Sequence, residues 1–138
     1  MSATATMRAV VITESLTTRA LPAGFNGLPV RRYQHDLDGN TPIEICEVTV
    51  PTDQAAALAL ELARALEPHL YYAHLLDEKR MLIAFPHTVV TVDRDDQATL
   101  DHARQVGALF HIPASQMRFA EMWDTDHPDD PNGQKFGE

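Results

Sequence analysis

The fold of this chain is decided by residues 70 to 85, LYYAHLLDEKRMLIAF. Two apolar runs flank a charged turn at residues 77 to 80, and this pattern is typical of a β-hairpin. With Asp77 opposite Arg80, the alternation of side chains along each strand gives the hairpin two different faces. Both faces are apolar, so a stable fold must cover both.

The two faces of this hairpin differ in the size of their side chains. The small-residue face carries Tyr71, Ala73, Leu75, Leu82 and Ala84. The aromatic face carries Tyr72, His74, Leu76, Met81, Ile83 and Phe85. Because small side chains let a helix approach closely, we expect a helix to cover the small-residue face.

The composition is that of a soluble globular domain. The chain has 138 residues, of which 44% are apolar and 22% are charged, and these values are close to the average for folded domains. A chain of this length can support its own hydrophobic core. We therefore predict a single domain over residues 1 to 123, followed by an acidic, flexible tail over residues 124 to 138.

The acidic character of the chain argues against nucleic-acid binding. The net charge is −9, and neighbouring basic residues occur only at Arg31 with Arg32 and at Lys79 with Arg80. Phosphate binding requires clustered Lys and Arg, so we predict no nucleic-acid partner. The acidic excess favours solubility, and an acidic inhibitor or immunity-like protein is a further functional alternative.

The single cysteine and the N-terminal sequence bear on cellular location. Cys46 has no second cysteine with which to form an internal disulfide, and within a strand pattern it is expected to be a small buried side chain. The N-terminus lacks a basic region followed by a long apolar core, and its apolar run is too short to span a bilayer. We predict a cytoplasmic protein that makes no membrane contact.

Turn residues and apolar periodicity predict six strands and two helices. The predicted strands are residues 8–13, 29–36, 43–50, 70–76, 81–92 and 117–123. The predicted helices are residues 53–67 and 96–110. Asp38 and Gly39 mark the turn of a first hairpin, and Asp95 or Asp96 caps the second helix.

The order of these elements predicts the fold class. From residue 43 onward the order is strand, helix, strand, strand, helix, strand. This is the order of an α+β, ferredoxin-like β-α-β-β-α-β sheet with both helices on one face, here preceded by one or two extra N-terminal strands. Many unrelated functions use this architecture, so the fold class alone does not indicate an activity.

Two helices on the small-residue face would leave the aromatic face open. This open apolar patch would span roughly several hundred Å², which is near the upper end of what single soluble domains expose. We therefore expect another surface to cover it. Three covers are open: a second copy of the chain, the N-terminal strands, or a pocket enclosing a small molecule. We expect a homodimer whose interface contains Tyr72, His74, Met81, Ile83 and Phe85.

The same face carries the candidate catalytic groups. His74 lies at its centre, beside the hydroxyl of Tyr72, and His87 shares the face if the strand continues past Pro86. Glu47 would approach from a neighbouring strand. Imidazole, phenol and carboxylate groups in an apolar cavity can transfer protons. By fold-level analogy with dimeric α+β barrels, these four residues predict an alternative function as an enzyme acting on a small organic molecule.

Known catalytic and ligand-binding motifs are missing from the sequence. It has no Gly-rich phosphate loop, no GxSxG nucleophile elbow and no close pair of histidines suited to zinc. We therefore predict no cofactor and no metal. The first functional hypothesis is a small non-catalytic binding or interaction protein, homodimeric through its open sheet face, with a protein or a small molecule as a further partner.

Overall fold

A computed structural model of the protein describes residues 5–37, 41–67, 71–112, 117 and 119–123. This part of the chain is α+β, with an open antiparallel sheet and two α-helices. The strands are β1 (Thr6–Ile12), β2 (Val30–Leu37), β3 (Thr41–Pro51), β4 (Ala73–Leu76), β5 (Arg80–Phe85) and β6 (Thr88–Asp93). The helices are α1 (Thr52–Ala65), between β3 and β4, and α2 (Gln97–Ala108), after β6.

The predicted β4–β5 hairpin is confirmed, together with its register. Leu76 pairs with Met81, and His74 pairs with Ile83. The carboxylate of Asp77 shapes the turn, because its Oδ1 accepts hydrogen bonds of 2.8 Å from the backbone N–H groups of Lys79 and Arg80. Every side chain from Ala73 to Leu76 and from Met81 to Phe85 is buried. The hairpin therefore lies at the centre of the core and is covered on both faces.

The sheet order is β2-β3-β1-β4-β5-β6, with every neighbouring pair antiparallel. The α+β class is thus confirmed, but the predicted ferredoxin-like order is not. Such an order needs a helix directly after β5 and a strand after that helix. Instead β6 follows β5, and within the described residues a short 3-10 helix (Phe119–Trp123) replaces the strand predicted at residues 117–123.

A two-residue turn causes this difference. Residues 81–92 were predicted as one strand, but Phe85 pairs with Thr88, so the chain reverses at Pro86 and His87. His87 adopts a left-handed backbone with φ of 60°, which a sharp reversal requires and which is uncommon for a residue other than glycine. The apolar runs on either side of Pro86 are therefore two strands of a second hairpin.

Helix α1 covers the small-residue face, as expected. Its buried side chains recur with helical spacing at Ala55, Leu58, Ala59, Leu62 and Ala63. They share one core cluster with side chains from the small-residue face of the hairpin, including Ala73, Leu75, Leu82 and Ala84. Alanines on both surfaces permit the close approach that the sequence indicated.

Helix α2 lies on the aromatic face, which corrects the prediction of two helices on one face. Leu100 and Ala103 share a core cluster with Met81, Ile83 and Phe85. The 3-10 helix extends this cover with Phe119 and Met122. The β5–β6 half of the face is thus covered by the chain itself. This cover is possible because α2 follows β6 directly and packs on β5 and β6.

The ends of α2 and of the 3-10 helix are fixed by specific hydrogen bonds. The carboxylate of Asp96 accepts from the backbone N–H groups of Ala98 and Thr99, at 3.0 and 3.4 Å, so the predicted cap is confirmed. The indole N–H of Trp123 donates to the carbonyl of Asp77 at 2.8 Å. This last bond fixes the end of the 3-10 helix at the β4–β5 turn.

Substituting Gly107 by Ala tests how closely α2 packs on the aromatic face. A Cβ at this position would clash with Met117 Sδ and lie 3.1 Å from Phe85 Cε1. We expect Gly107→Ala to lower the free energy of unfolding by about 1–3 kcal/mol, as overpacked core substitutions do. Helix propensity alone would raise it by about 1 kcal/mol. Urea unfolding measures the sign, and a gain in stability would contradict this packing.

Candidate functional site

The candidate site is the centre of the aromatic face, where β3, β1 and β4 lie side by side. Glu47 of β3 and His74 of β4 both pair with Val10 of β1. Directly paired residues point to the same face, so Glu47 and His74 share it. One complete strand separates them, however, which places their backbones about 10 Å apart. The expectation that they share a face is met, but Glu47 does not lie on the strand next to His74 as expected, because β1 lies between their strands.

His74 and Tyr72 are the two candidate residues that the structure brings together. Their ring centroids lie 6.2 Å apart, and His74 is only 4% exposed. Tyr72 also packs edge-on against Phe119, with centroids 5.2 Å apart, and it lies 6.2 Å from Phe85. Both rings are thus part of an aromatic cluster beneath the 3-10 helix, where they contribute to packing.

His87 does not belong to this site. It lies in the two-residue turn after β5, its side chain is exposed, and its backbone N–H donates to the carbonyl of Ala63 at 2.9 Å. Ala63 belongs to α1, which covers the small-residue face. The prediction that His87 joins His74 is therefore wrong, because the strand does not continue past Pro86.

The predicted interface residues are buried within the single chain. Met81, Ile83 and Phe85 have no exposed surface, because α2 and the 3-10 helix lie over them. The premise of an open face is therefore wrong for this half of the sheet. These residues could meet a second copy only if α2 moved away.

Glu47 is held at the other side of the aromatic face by a basic residue. Its Oε2 lies 3.5 Å from Arg31 Nη2, and the Arg31 guanidinium lies 5.1 Å from the centre of the Tyr33 ring. Polar atoms of Glu47, Arg8 and His74 are buried on these central strands. Charged groups therefore occupy the part of this face that α2 does not reach.

A second polar cluster, which the sequence did not predict, lies at the end of the β2–β3 hairpin. Arg32 Nη1 donates to Glu44 Oε1 at 3.1 Å and to Cys46 Sγ at 3.0 Å. Thr13 Oγ1 donates to the same Glu44 oxygen at 2.7 Å. Cys46 is buried as expected, but it is also hydrogen-bonded. The sequence could have indicated this cluster. A hairpin turn centred on Gly39, as predicted, places Arg32 directly opposite Cys46.

This cluster changes the acidity of Glu44. The hydrogen bond from Thr13 is the largest effect and lowers the pKa of the Glu44 carboxyl; partial burial opposes it, and Arg32 lowers the pKa further. Hydrogen bonds and nearby cations favour the ionised form of a carboxylate. In its ionised form, Glu44 of β3 therefore accepts the hydrogen bond from Thr13, the residue that follows β1.

The described residues contain neither a three-residue metal-binding group nor a membrane-spanning helix. Within residues 5–37, 41–67, 71–112, 117 and 119–123, no group of three His, Cys, Asp or Glu side chains could hold a metal ion. In the same part of the chain, no helix is long and apolar enough to cross a membrane. The acidic residues after 123 lie outside the described residues.

No family model, curated protein or solved structure matches this chain. The function must therefore be argued from the geometry of the sheet and of its surfaces.

Removing the hydroxyl of Thr13 tests the Glu44 cluster. A carboxyl whose pKa is lower in the folded state adds stability above its unfolded pKa, near 4.5, and this stability is lost as the pH falls through the folded pKa. We expect Thr13→Val to raise the pKa of Glu44 and to reduce this acid-dependent loss. Carboxyl NMR titration and urea unfolding between pH 6 and pH 3 measure both effects.

The exposed Thr17 provides a matched control, because it has the same side chain on the same segment. Thr17→Val should leave the Glu44 titration unchanged. An unchanged Glu44 titration in Thr13→Val would show that the hydrogen bond does not set the acidity of this group.

Proposed function

We propose that this protein is a non-catalytic interaction protein that forms a homodimer by pairing the outer edge of β2 with β2 of a second copy. The observation that carries the proposal is the position of β2, an eight-residue strand at the edge of the sheet. An edge strand presents backbone N–H and C=O groups that a further strand can bind.

The hydrogen-bond pattern identifies which backbone groups point outward. Thr49 N donates to Pro29 O at 3.1 Å, and Val30 pairs with Val48 in the same register. Hydrogen-bonded and non-hydrogen-bonded pairs alternate in an antiparallel ladder. The backbone groups of Val30, Arg32, Gln34 and Asp36 therefore face away from β3. These positions form the outer edge of β2.

The basic side chains of β2 do not protect this edge in the usual way. Charged side chains on an edge strand normally oppose pairing with another chain. Here Arg31 is drawn back to Glu47 of β3, and Arg32 is drawn back to Glu44 and Cys46 of the same strand. Both guanidinium groups lie over their own sheet, and Val30, at the start of the strand, is 39% exposed.

The sequence of β2 is complementary to itself in an antiparallel pair. When Gln34 of one copy stands opposite Gln34 of the other, Arg32 stands opposite Asp36, and the reciprocal pair forms by symmetry. All of these are outward-facing positions, so backbone hydrogen bonds form at each of them. Arg32 keeps its contacts with Glu44 and Cys46, and this register places no like charges directly opposite each other, which would destabilise a sheet. Such a two-fold contact is the common way in which identical chains assemble.

The other sheet edge lacks this complementarity. Strand β6 has six residues, and the hydrogen bond from Arg94 N to Lys79 O sets Val89, Thr91 and Asp93 as its outward-facing positions. Pairing β6 with itself around Thr91 would place Val89 opposite Asp93, an apolar residue opposite a charged one. This difference favours β2 as the self-association edge.

The arrangement of the candidate catalytic groups favours binding over catalysis. Of the four residues considered for proton transfer, only Tyr72 and His74 lie together, and both belong to the packed aromatic cluster. The alternative as an acidic inhibitor or immunity-like protein rests on the net charge of −9, to which residues 124 to 138, outside the described part of the chain, contribute five acids and one Lys. The proposed pairing through β2 depends neither on proton-transfer groups nor on the acidic excess.

Proline at position 34 tests the proposed dimer. Proline lacks an N–H group, and at an outward-facing position it removes a donor to the partner without removing a bond to β3. We expect the wild-type protein to have twice the 15.3 kDa chain mass and Gln34→Pro to have the mass of one chain. Light scattering after size-exclusion chromatography measures this mass over a range of concentrations.

Two control variants separate this effect from general damage to the sheet. Gln34→Thr keeps the N–H group, and Thr91→Pro places the same substitution at an outward-facing position of β6. Both should remain dimeric. A wild-type protein that is monomeric at every concentration, or a Gln34→Pro variant that remains dimeric, would overturn the proposal.

A further inference from the structure

We draw no further inference here: the strongest candidate, the apolar cluster of Val10, Ile43 and Ile45 on the same face of the sheet as His74, carries no proposal because nothing in the described part of the chain shows what packs over it.

Discussion

The structure depends on the burial of the β4–β5 hairpin on both faces. Each side chain of β4, and each side chain of β5 after Arg80, is buried, so neither face can be left to water. Burying apolar surface at about 25 cal/mol per Å² is the main force that stabilises such a core. The chain satisfies this constraint with α1 on the small-residue face and α2 on the aromatic face. The turn at Pro86 and His87 makes the second cover possible.

Local patterns in the sequence predicted the parts of the fold that local interactions determine. The β4–β5 register followed from the Asp77 turn, the position of α1 followed from small side chains on both surfaces, and the cap at Asp96 followed from residue type. These features depend on neighbouring residues. The long strand predicted at residues 81–92 failed because apolar runs on both sides of Pro86 fit one strand and two strands equally well.

That single error changed the expected site. Residues 81–92 form two strands, β5 and β6, and α2 follows β6. Helix α2 therefore covers Met81, Ile83 and Phe85, which the sequence analysis expected to be open. The reversal between the two strands also places His87 in a turn. Glu47 and His74 were correctly assigned to one face, but strand alternation cannot show that β1 lies between them. Sheet order depends on contacts between distant residues, which a periodic pattern does not record.

With the aromatic face partly closed, the functional argument moves from the face of the sheet to its edge. The outer edge of β2 combines outward-facing backbone groups with basic side chains held over β3. Hydrogen exchange at the amides of Arg32 and Gln34, measured across a dilution series, tests this claim most directly. The account predicts slower exchange at high concentration at these amides and no change at Thr91. Exchange at Arg32 and Gln34 that does not depend on concentration would contradict it.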